Sequence, residues 1–459
     1  MQRKNSQSNL IPGPKGHLLL GSIAEFKKDP LNTLEQGRKA YGNLVRFRLG
    51  PKDLYVASSP ELAEDILVKQ KAVYLKIDVH ARKPIGLQLL FGNGLFTNRD
   101  PESWLIQRRL MQPMYHLQSI ATMSDKMVMA GQRLLRRWQE DYEPGDAVDV
   151  SQEMMQVTLD IISQTMFSTD VLEQTTVIGQ AVSVGIAFIF RRMHNPLSLP
   201  LMLPTPSNLS FKRARQVLDR VVYAIIDARL QTGEQHHDLL DMLISARDAD
   251  TGQGMSREQL RDEVVTIFLA GHETTANGLT WAWYLLSQHP AHLHALQHEV
   301  DTVLQGRPPT IDDLKNLPYT AAVFDEALRL RPPAPLLPRR VAQNTALGDY
   351  DLAAGSQVMV NIYGIHHHPD LWEEPEAFKP ERFLPGMSLE HQKLAYMPFG
   401  AGQHKCIGSN FALVEAQLLL ALIAQHYELR LAPDQRIEEE LGITLRPRSG
   451  MRMTLHPRA

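Results

Sequence analysis

The most constraining feature of this sequence is its only cysteine, Cys406, which lies in a glycine-bearing segment directly before a long apolar run. The segment reads FGAGQHKCIG at residues 399–408, and the run FALVEAQLLLALIAQ that follows has the composition of a buried helix. At a helix start, unpaired amide N–H groups and the positive end of the helix dipole favour a thiolate over a thiol. The segment therefore predicts either a metal-binding thiolate or an ordinary, inert cysteine in a glycine-bearing loop.

The presence of one cysteine excludes an intrachain disulfide, a multi-cysteine zinc site and an iron–sulfur cluster held by the chain's own thiolates. The formal net charge of -3 leaves no excess of positive charge to neutralise a phosphate backbone, which disfavours nucleic acid as a partner. With 43% hydrophobic and 22% charged residues, the 459-residue chain has the composition of a globular protein with a large interior.

Turn-forming residues and hydrophobic periodicity divide the chain into regions of different structure. Between residues 11 and 70, the alternating segments LVRFRL and DLYVAS flank Gly50-Pro51, a pattern that predicts an antiparallel hairpin. Helical periodicities occupy residues 101–330, and short strand patterns return between residues 333 and 362. The segment ITLRPRSGMRMTL predicts a terminal hairpin that turns at Ser449-Gly450.

No internal repeat, low-complexity tract or linker interrupts this pattern. We therefore expect one domain over residues 1–459, mainly α-helical with small β-sheets (α+β). The N-terminal segment lacks the apolar core of a secretory signal, and the longest apolar runs are far shorter than the roughly 20 residues that cross a bilayer. The sequence thus predicts a cytoplasmic protein without a membrane span.

Five residues of the cysteine segment share the spacing of a haem-binding signature, Phe-x-x-Gly-x-(Arg/His)-x-Cys-x-Gly; they are Phe399, Gly402, His404, Cys406 and Gly408. In this motif the chain resembles the cytochrome P450 superfamily, and without a membrane anchor it resembles the soluble bacterial members. The resemblance implies a b-type haem, iron protoporphyrin IX, with Cys406 as axial ligand, Phe399 beside the sulfur and His404 near a propionate. Gly402 and Gly408 would let the backbone pass close to the flat ring, and Gly402 would supply a turn with positive φ.

A second motif lies in a long helix that the Ser256-x-x-Gln259 capping box predicts and that we expect to end at about Ser287. The stretch AGHETT at residues 270–275 places a glycine, an acid and two threonines inside an otherwise apolar span. Glycine weakens the helical ladder, and a threonine hydroxyl can bond to the carbonyl one turn earlier, so a kinked core helix is one interpretation. A site that admits dioxygen and passes protons is the other.

The same stretch resembles the (Ala/Gly)-Gly-x-(Asp/Glu)-Thr pattern of cytochromes P450. By that resemblance, Ala270 and Gly271 would lie against the haem in a long central helix on its distal side. Thr274 would hold oxygen and water by hydrogen bonding, and Glu273 would relay protons as the catalytic acid. The cysteine segment favours this interpretation over a purely structural kink.

Supporting motifs of the family are also matched. Glu326 and Arg329 are three residues apart, a spacing that usually gives a solvent-exposed pair. Together with Arg382 in the segment FKPERF, they resemble a buried structural triad that supports the cysteine segment. Trp104 and Arg108 resemble a Trp-x-x-x-Arg pair whose side chains reach a haem propionate, for which a guanidinium is well suited. Without a haem, an amphipathic surface helix is the alternative for this pair.

The segment LLPRRV supplies further candidates. The resemblance places a propionate-binding arginine in this strand, which we assign to Arg340, with Arg339 as the alternative. Leu336 and Leu337, together with Ile443 near the end of the chain, would line an apolar substrate pocket, or they belong to the ordinary core.

Haem iron with a thiolate ligand favours cleavage of the O–O bond over reversible oxygen binding. The resemblance therefore implies a monooxygenase that inserts one atom of dioxygen into a hydrophobic small molecule such as a fatty acid, terpenoid or steroid. We expect a monomer that receives electrons from a separate ferredoxin or flavodoxin with its NAD(P)H reductase, because the chain leaves no room for a reductase. A peroxide-driven enzyme or isomerase is one alternative, against which Glu273 and Thr274 argue. A haem sensor or transport protein is the other, although no segment resembles an output domain.

Overall fold

The computed structural model describes residues 10–76, 86–167, 172–194, 199–233, 235–387 and 394–458. The chain divides into two compact units, each assembled from separated stretches of sequence. The first unit comprises Met1–Val79, Ala321–Cys406 and Glu438–Arg448, and the second comprises His80–Thr320, Ile407–Ile437 and Ser449–Ala459.

Helices predominate over strands, in agreement with the predicted fold class. The helices of the described residues are α1 (Ile23–Lys28), α2 (Pro30–Tyr41), α3 (Pro60–Glu64), α4 (Gln88–Phe91), α5 (Pro101–Met111), α6 (Leu117–Ala121), α7 (Ser124–Asp141), α8 (Val150–Phe167), α9 (Leu172–His194), α10 (Pro206–Thr232), α11 (Leu239–Ser245), α12 (Arg257–Gln288), α13 (Pro290–Leu304), α14 (Pro318–Leu330), α15 (Ile362–His366) and α16 (Ser409–His426). The strands are β1 (Leu44–Leu49), β2 (Lys52–Ala57), β3 (Tyr74–Leu75), β4 (Ala147–Asp149), β5 (Leu336–Val341), β6 (Thr345–Leu347), β7 (Tyr350–Leu352), β8 (Gln357–Asn361), β9 (Tyr427–Leu431), β10 (Glu439–Leu441), β11 (Leu445–Pro447) and β12 (Arg452–Pro457).

The first unit contains a five-stranded sheet with strand order β1-β2-β8-β5-β3. The predicted hairpin around Gly50-Pro51 is confirmed, since β1 and β2 pair antiparallel from Leu49↔Lys52 to Leu44↔Ala57. Strand β2 also pairs in parallel with β8, where Leu54 faces Gln357. Two stretches that are distant in sequence therefore complete one sheet.

A hydrophobic cluster on this sheet holds part of the cysteine segment. Val358 and Val360 of β8 are both 0% exposed and belong to the same buried cluster as Met397 and Ala401. Because Met397 and Ala401 flank Phe399, the segment that leads to Cys406 is anchored by apolar burial on the sheet.

The second unit is built around α12, which confirms the predicted capping box and helix. The Ser256 hydroxyl accepts the Gln259 amide at 3.2 Å, and the Gln259 side chain accepts the Ser256 amide at 2.9 Å. The helix then runs without a break from Arg257 to Gln288. The motif at residues 270–275 therefore lies in continuous helix.

A glycine allows helix α8 to pack closely against α12. A Cβ atom placed on Gly271 would lie 2.9 Å from the Cδ1 atom of Ile162, closer than real side chains approach. Ile162 is itself buried, with 2% exposure. Gly271 thus has a packing role in the second unit that is independent of any cofactor.

The predicted terminal hairpin at Ser449-Gly450 is wrong. Strand β11 pairs antiparallel with β10, so that Leu441 faces Leu445, whereas β12 pairs with β4 and β9. Gly450 has a φ of 72°, and the next amide, that of Met451, donates to the Asp149 carboxylate at 3.0 Å. The chain does turn at Ser449-Gly450, but it uses this turn to pass from one sheet to another.

Within the described residues, we find no helix that combines the length and the apolar character needed to cross a bilayer. The first nine residues, on which the prediction of no secretory signal partly rests, lie outside the described residues.

The five-residue helix α15 follows β8 directly, and the Asn361 side chain accepts the Gly364 amide at 2.9 Å to begin it.

Candidate active site

The segment around Cys406 is a tight loop held by backbone hydrogen bonds. The Cys406 amide donates to the Phe399 carbonyl at 2.9 Å, and the Gly400 amide donates to the Met397 carbonyl at 2.9 Å. Phe399 and His404 are half-buried, whereas Cys406 is exposed. The loop therefore presents the side chain of the only cysteine from a backbone whose path is fixed.

Gly402 is required by its backbone conformation and by a close approach. Its φ is 69°, as the sequence predicted, and a Cβ atom would lie 2.0 Å from the Leu67 carbonyl oxygen. Gly408 behaves differently, because it has a φ of -85° and is the N-cap residue of α16. Only Gly402 of the two needs the left-handed region that favours glycine.

The first unit contains a buried ion pair. Arg329 and Glu326 have fully buried side chains, and the Arg329 guanidinium donates to both Glu326 carboxylate oxygens at 2.7 and 2.8 Å. The remaining guanidinium hydrogens donate to three backbone carbonyls, those of His366 at 2.8 Å, Pro375 at 2.8 Å and Ala377 at 3.1 Å. All five N–H donors of an arginine are thereby used.

Arg382 is the third residue of the triad that the family resemblance implies, together with Glu326 and Arg329. Its Nε atom lies 3.4 Å from a Glu326 carboxylate oxygen, and its Nη2 atom donates to the Glu374 carbonyl at 3.0 Å. The same Glu326 oxygen accepts the Lys379 amide at 2.9 Å. The structure thus brings Glu326, Arg329 and Arg382 together around one carboxylate.

In the second unit, the motif of α12 forms an accessible stretch in an otherwise buried helix. Residues 260–269 and 275–283 are buried, whereas Ala270 is exposed and residues 271–274 are half-buried. The Thr274 hydroxyl donates to the Ala270 carbonyl at 2.7 Å, the bond to the preceding turn that the sequence predicts. Glu273 lies beside Thr274 in the same half-buried stretch.

The Trp104 side chain is buried, and its indole N–H donates to the Leu95 carbonyl at 3.1 Å. Arg108, one turn later on α5, is half-buried. Its neighbour Arg109 pairs with Asp248, where the two closest atoms are 2.8 Å apart. The indole N–H of Trp104 is thus already hydrogen-bonded within the second unit.

The two arginines of β5 occupy different environments. Arg339 is 8% exposed, donates to the Pro338 carbonyl at 2.8 Å, and has its pKa lowered to about 10 by burial. Arg340 is half-buried and is paired through its backbone with Gln357 of β8. Since neighbouring strand residues point to opposite faces, the two guanidinium groups serve different surroundings.

The three apolar substrate candidates are half-buried residues of the first unit. Leu336 and Leu337 belong to β5, and the Cδ1 atom of Leu337 would lie 3.3 Å from a Cβ atom on Gly400. Ile443 lies in the short connection between β10 and β11. Leu337 is therefore the candidate that contacts the cysteine loop.

Sequence patterns missed a polar cluster beside the buried ion pair. The Tyr396 hydroxyl lies 2.8 Å from an Asp325 carboxylate oxygen, to which it donates, and the Tyr396 ring stacks on His366 at 5.5 Å between centroids. Burial raises the pKa of Asp325 to about 6, against the lowering effect of the Tyr396 hydrogen bond. No motif contains these residues, so the sequence offered no signal for the cluster.

Comparisons with known proteins identify the family. The family model described as Cytochrome P450 matches residues 11–453. The chain is 37% identical to a cyclooctat-9-en-7-ol 5-monooxygenase of Streptomyces melanosporofaciens, over 90% of this chain and 88% of the relative. It is 32% identical to a pentalenene oxygenase of Streptomyces avermitilis, over 94% of each chain. The crystal structure of the cytochrome P450DA heme domain matches with a TM-score of 0.90 and 27% identity over 98% of both chains.

The chain belongs to the cytochrome P450 family, whose cofactor is haem iron. It is a haem-thiolate monooxygenase, an oxidoreductase that incorporates an oxygen atom from dioxygen into a hydrophobic small molecule. The residues present fit a haem. Porphyrin supplies four iron ligands itself, so one thiolate suffices from the protein, and the chain has one exposed cysteine on a fixed loop.

Gly402→Ala tests the close approach in the cysteine loop. The added methyl group would collide with the Leu67 carbonyl in a backbone conformation unfavourable to alanine. We expect a loss of about 1 to 3 kcal/mol in unfolding free energy and reduced haem content, measured by denaturant titration and by absorbance. Gly145→Ala is the control for positive φ alone, because a Cβ atom there meets nothing within 4 Å. Equal losses in both variants would contradict the steric explanation.

Asp325→Asn tests the buried carboxyl group. Since its pKa is raised to about 6 when folded and is about 3.9 when unfolded, the ionised form costs the folded state stability above pH 6. We expect the variant to gain about 2 to 3 kcal/mol over the wild type at pH 8. The gain should shrink as the pH falls from 6 to 4, because the folded wild type then takes up a proton.

The measurement is the unfolding free energy at several pH values, and Asp349→Asn, at an exposed position, is the control. A difference between Asp325→Asn and the wild type that does not change with pH would contradict the raised pKa.

Proposed function

We propose that this monooxygenase oxidises a terpenoid at a b-type haem, iron protoporphyrin IX, whose axial ligand is the thiolate of Cys406. One observation supports the ligand assignment above all others. Cys406 is the only cysteine of the chain, and it is exposed on a loop whose backbone is fixed by its own amide bond to the Phe399 carbonyl. Any thiolate ligation in this protein must therefore come from Cys406.

The bound haem supplies the oxidising chemistry on dioxygen, and the thiolate strengthens it by electron donation. The protein contributes ligation, orientation and proton delivery. Phe399, Gly402 and Gly408 shape the loop that carries the ligand, and Glu326, Arg329 and Arg382 support that loop. Their buried bonds keep the sulfur in one place, as a ligand of fixed geometry requires.

Thr274 and Glu273 are the proposed proton-delivery residues. The single hydroxyl proton of Thr274 is committed to the Ala270 carbonyl at 2.7 Å. Its oxygen therefore keeps its lone pairs for an outside donor, and it can accept a hydrogen bond from a water molecule. Glu273 is the acid of the same half-buried stretch and would resupply protons from solvent. The small, exposed Ala270 keeps this helix surface low enough for a ring to approach. Gly271 is proposed to lie against the ring through its backbone, because the space on its side-chain face is filled by Ile162.

Four polar side chains are proposed to bind the haem propionates: Trp104, Arg108, Arg340 and His404. The arginines suit carboxylates through their planar fork, and the indole N–H of Trp104 is a donor of one hydrogen bond. Because that N–H donates to the Leu95 carbonyl here, Trp104 would have to change partner to serve a propionate. Arg339 stays the alternative to Arg340; it is the more buried of the two arginines.

The proposed substrate class follows from the relatives and from the lining residues. The two relatives compared above are named for oxygenating cyclooctat-9-en-7-ol and pentalenene. Leu336, Leu337 and Ile443 would contribute apolar contacts to such a hydrophobic molecule. A terpenoid is therefore favoured over a fatty acid or a steroid.

For the remaining properties we propose a single cytochrome P450 domain over residues 1–459, acting as a cytoplasmic monomer. A ferredoxin or flavodoxin with its NAD(P)H reductase is proposed to supply the electrons. Acidic carriers of this kind are attracted by exposed cations, and Lys405 and Arg136 are exposed in the structure.

Cys406→Ala tests the ligand assignment. The ferrous carbon-monoxide complex of the wild type is expected to show the red-shifted Soret band of thiolate-ligated haem, and the variant is expected to lose it entirely. Lys405→Ala, at the exposed neighbouring position, is the control and should keep the band. A thiolate band that persists in Cys406→Ala would refute the assignment, since the variant contains no other cysteine.

Thr274→Ala tests proton delivery, with the controls Thr274→Ser, which keeps the hydroxyl, and Thr275→Ala, which removes a buried neighbouring hydroxyl. We expect the yield of product per NAD(P)H consumed to fall about tenfold or more in Thr274→Ala, because proton transfer at this level contributes at least that much. Thr274→Ser should retain most of the yield. Product that stays coupled to NAD(P)H consumption in Thr274→Ala would argue against this role, and a thiolate band without any product would favour a haem sensor.

A further inference from the structure

Three consecutive histidines at the end of α15 differ in what they contact. His366, His367 and His368 are 0%, 4% and 5% exposed. The ring of His366 has its Nε2 atom 3.0 Å from the Met397 amide nitrogen and its Nδ1 atom 3.1 Å from the Arg329 carbonyl oxygen. His366 therefore lies between the helix that carries Arg329 and the segment that leads to Cys406.

These two contacts determine the protonation of the His366 ring. A carbonyl oxygen only accepts hydrogen bonds, so Nδ1 must carry the proton that it gives to Arg329. An amide N–H only donates, so Nε2 must be the unprotonated acceptor for Met397. Burial, with a further contribution from the positive charge of Arg329, lowers the pKa of His366 to about 3, which keeps the ring neutral. A second proton would face the Met397 N–H and break that bond.

Backbone hydrogen bonds continue from Met397 to the cysteine. The Met397 carbonyl accepts the Gly400 amide at 2.9 Å, and the Phe399 carbonyl accepts the Cys406 amide at 2.9 Å. In the other direction, the Arg329 guanidinium donates to the His366 carbonyl at 2.8 Å. His366 thus bonds to Arg329 through both its ring and its carbonyl. Its ring also accepts the amide of Met397, the first residue of the hydrogen-bonded segment that ends at Cys406.

We propose that His366, as the neutral tautomer protonated on Nδ1, is a positioning residue that holds the cysteine loop in register with Arg329 and so preserves thiolate ligation by Cys406. The inference rests on the proposed function of Cys406 and adds a residue that no motif identified. His366 acts through the Met397 amide and does not itself touch the reacting atoms.

The test compares three variants as holoenzymes. His366→Phe keeps a flat ring but removes both hydrogen bonds. His366→Gln places an amide oxygen where Nε2 lies and restores an acceptor for Met397. His367→Phe is the matched control, because His367 is nearly as buried but its ring stacks on Tyr363 at 4.0 Å, and its Nδ1 lies 2.8 Å from the Tyr363 carbonyl within the same short helix.

Two readouts are taken on the same preparations: hydrogen exchange of the Met397 and Gly400 amides, and the Soret band of the ferrous carbon-monoxide complex. In His366→Phe we expect these amides to exchange about tenfold faster, as for loss of one buried hydrogen bond, and part of the thiolate band to be lost. His366→Gln and His367→Phe should stay close to the wild type in both readouts. Unchanged exchange and an unchanged band in His366→Phe would overturn the proposal.

Equal losses in His366→Phe and His366→Gln, or in His366→Phe and His367→Phe, would also overturn it, because they would indicate core packing in place of a specific hydrogen bond. Nitrogen-15 resonances of the wild-type histidines provide a test that needs no variant to fold. They should show His366 protonated on Nδ1 alone at neutral pH, and an imidazolium or an Nε2-protonated ring would refute the assignment. If the wild type lacks the thiolate band, the proposed function of Cys406 fails, whereas the exchange and tautomer measurements still decide the role of His366.

Discussion

The ion pair between Glu326 and Arg329 is the interaction on which the rest of the first unit depends. Placing two charges out of reach of water costs several kcal/mol for each, and only complete hydrogen bonding offsets that cost. The structure meets this condition, since the guanidinium gives two hydrogens to the carboxylate and three to carbonyls of residues 366, 375 and 377. Loss of either partner would leave an uncompensated buried charge, and the backbone at residues 366, 375 and 377 would lose its bonds to the guanidinium.

Helix α12 of the second unit is mostly buried but has one accessible, polar stretch. Residues 260–269 and 275–283 of this helix are buried. At residues 270–274 the side chains become small or polar and the helix is accessible, while the backbone keeps its helical form. A continuous helix with one accessible, polar stretch suits the proposed delivery of protons by Glu273 and Thr274.

Much of this could be predicted from sequence where the determinants are local. The β1–β2 hairpin, the capping box of α12 and the helix after Cys406 all follow from turn residues, caps and periodicity within a few positions. The partner of β11 could not, because its turn signal is compatible with a hairpin and pairing with β10 is decided by tertiary contacts. His366 is likewise indistinguishable from its two neighbours until Met397, 31 residues later, is placed against it.

The pairing of β2 with β8 has a consequence for how the protein is made. The two strands are separated by about 300 residues, which a ribosome adds in roughly 15 to 60 s. During that interval the emerged β1–β2 hairpin has an open hydrogen-bonding edge with no native partner yet synthesised, a condition that invites association with other chains. Helices α4 to α13 of the second unit are synthesised in the meantime, whereas α16 of the same unit follows β8 in the chain. Binding of a chaperone to the nascent N-terminal strands would therefore protect this enzyme at the stage when it is most prone to aggregate.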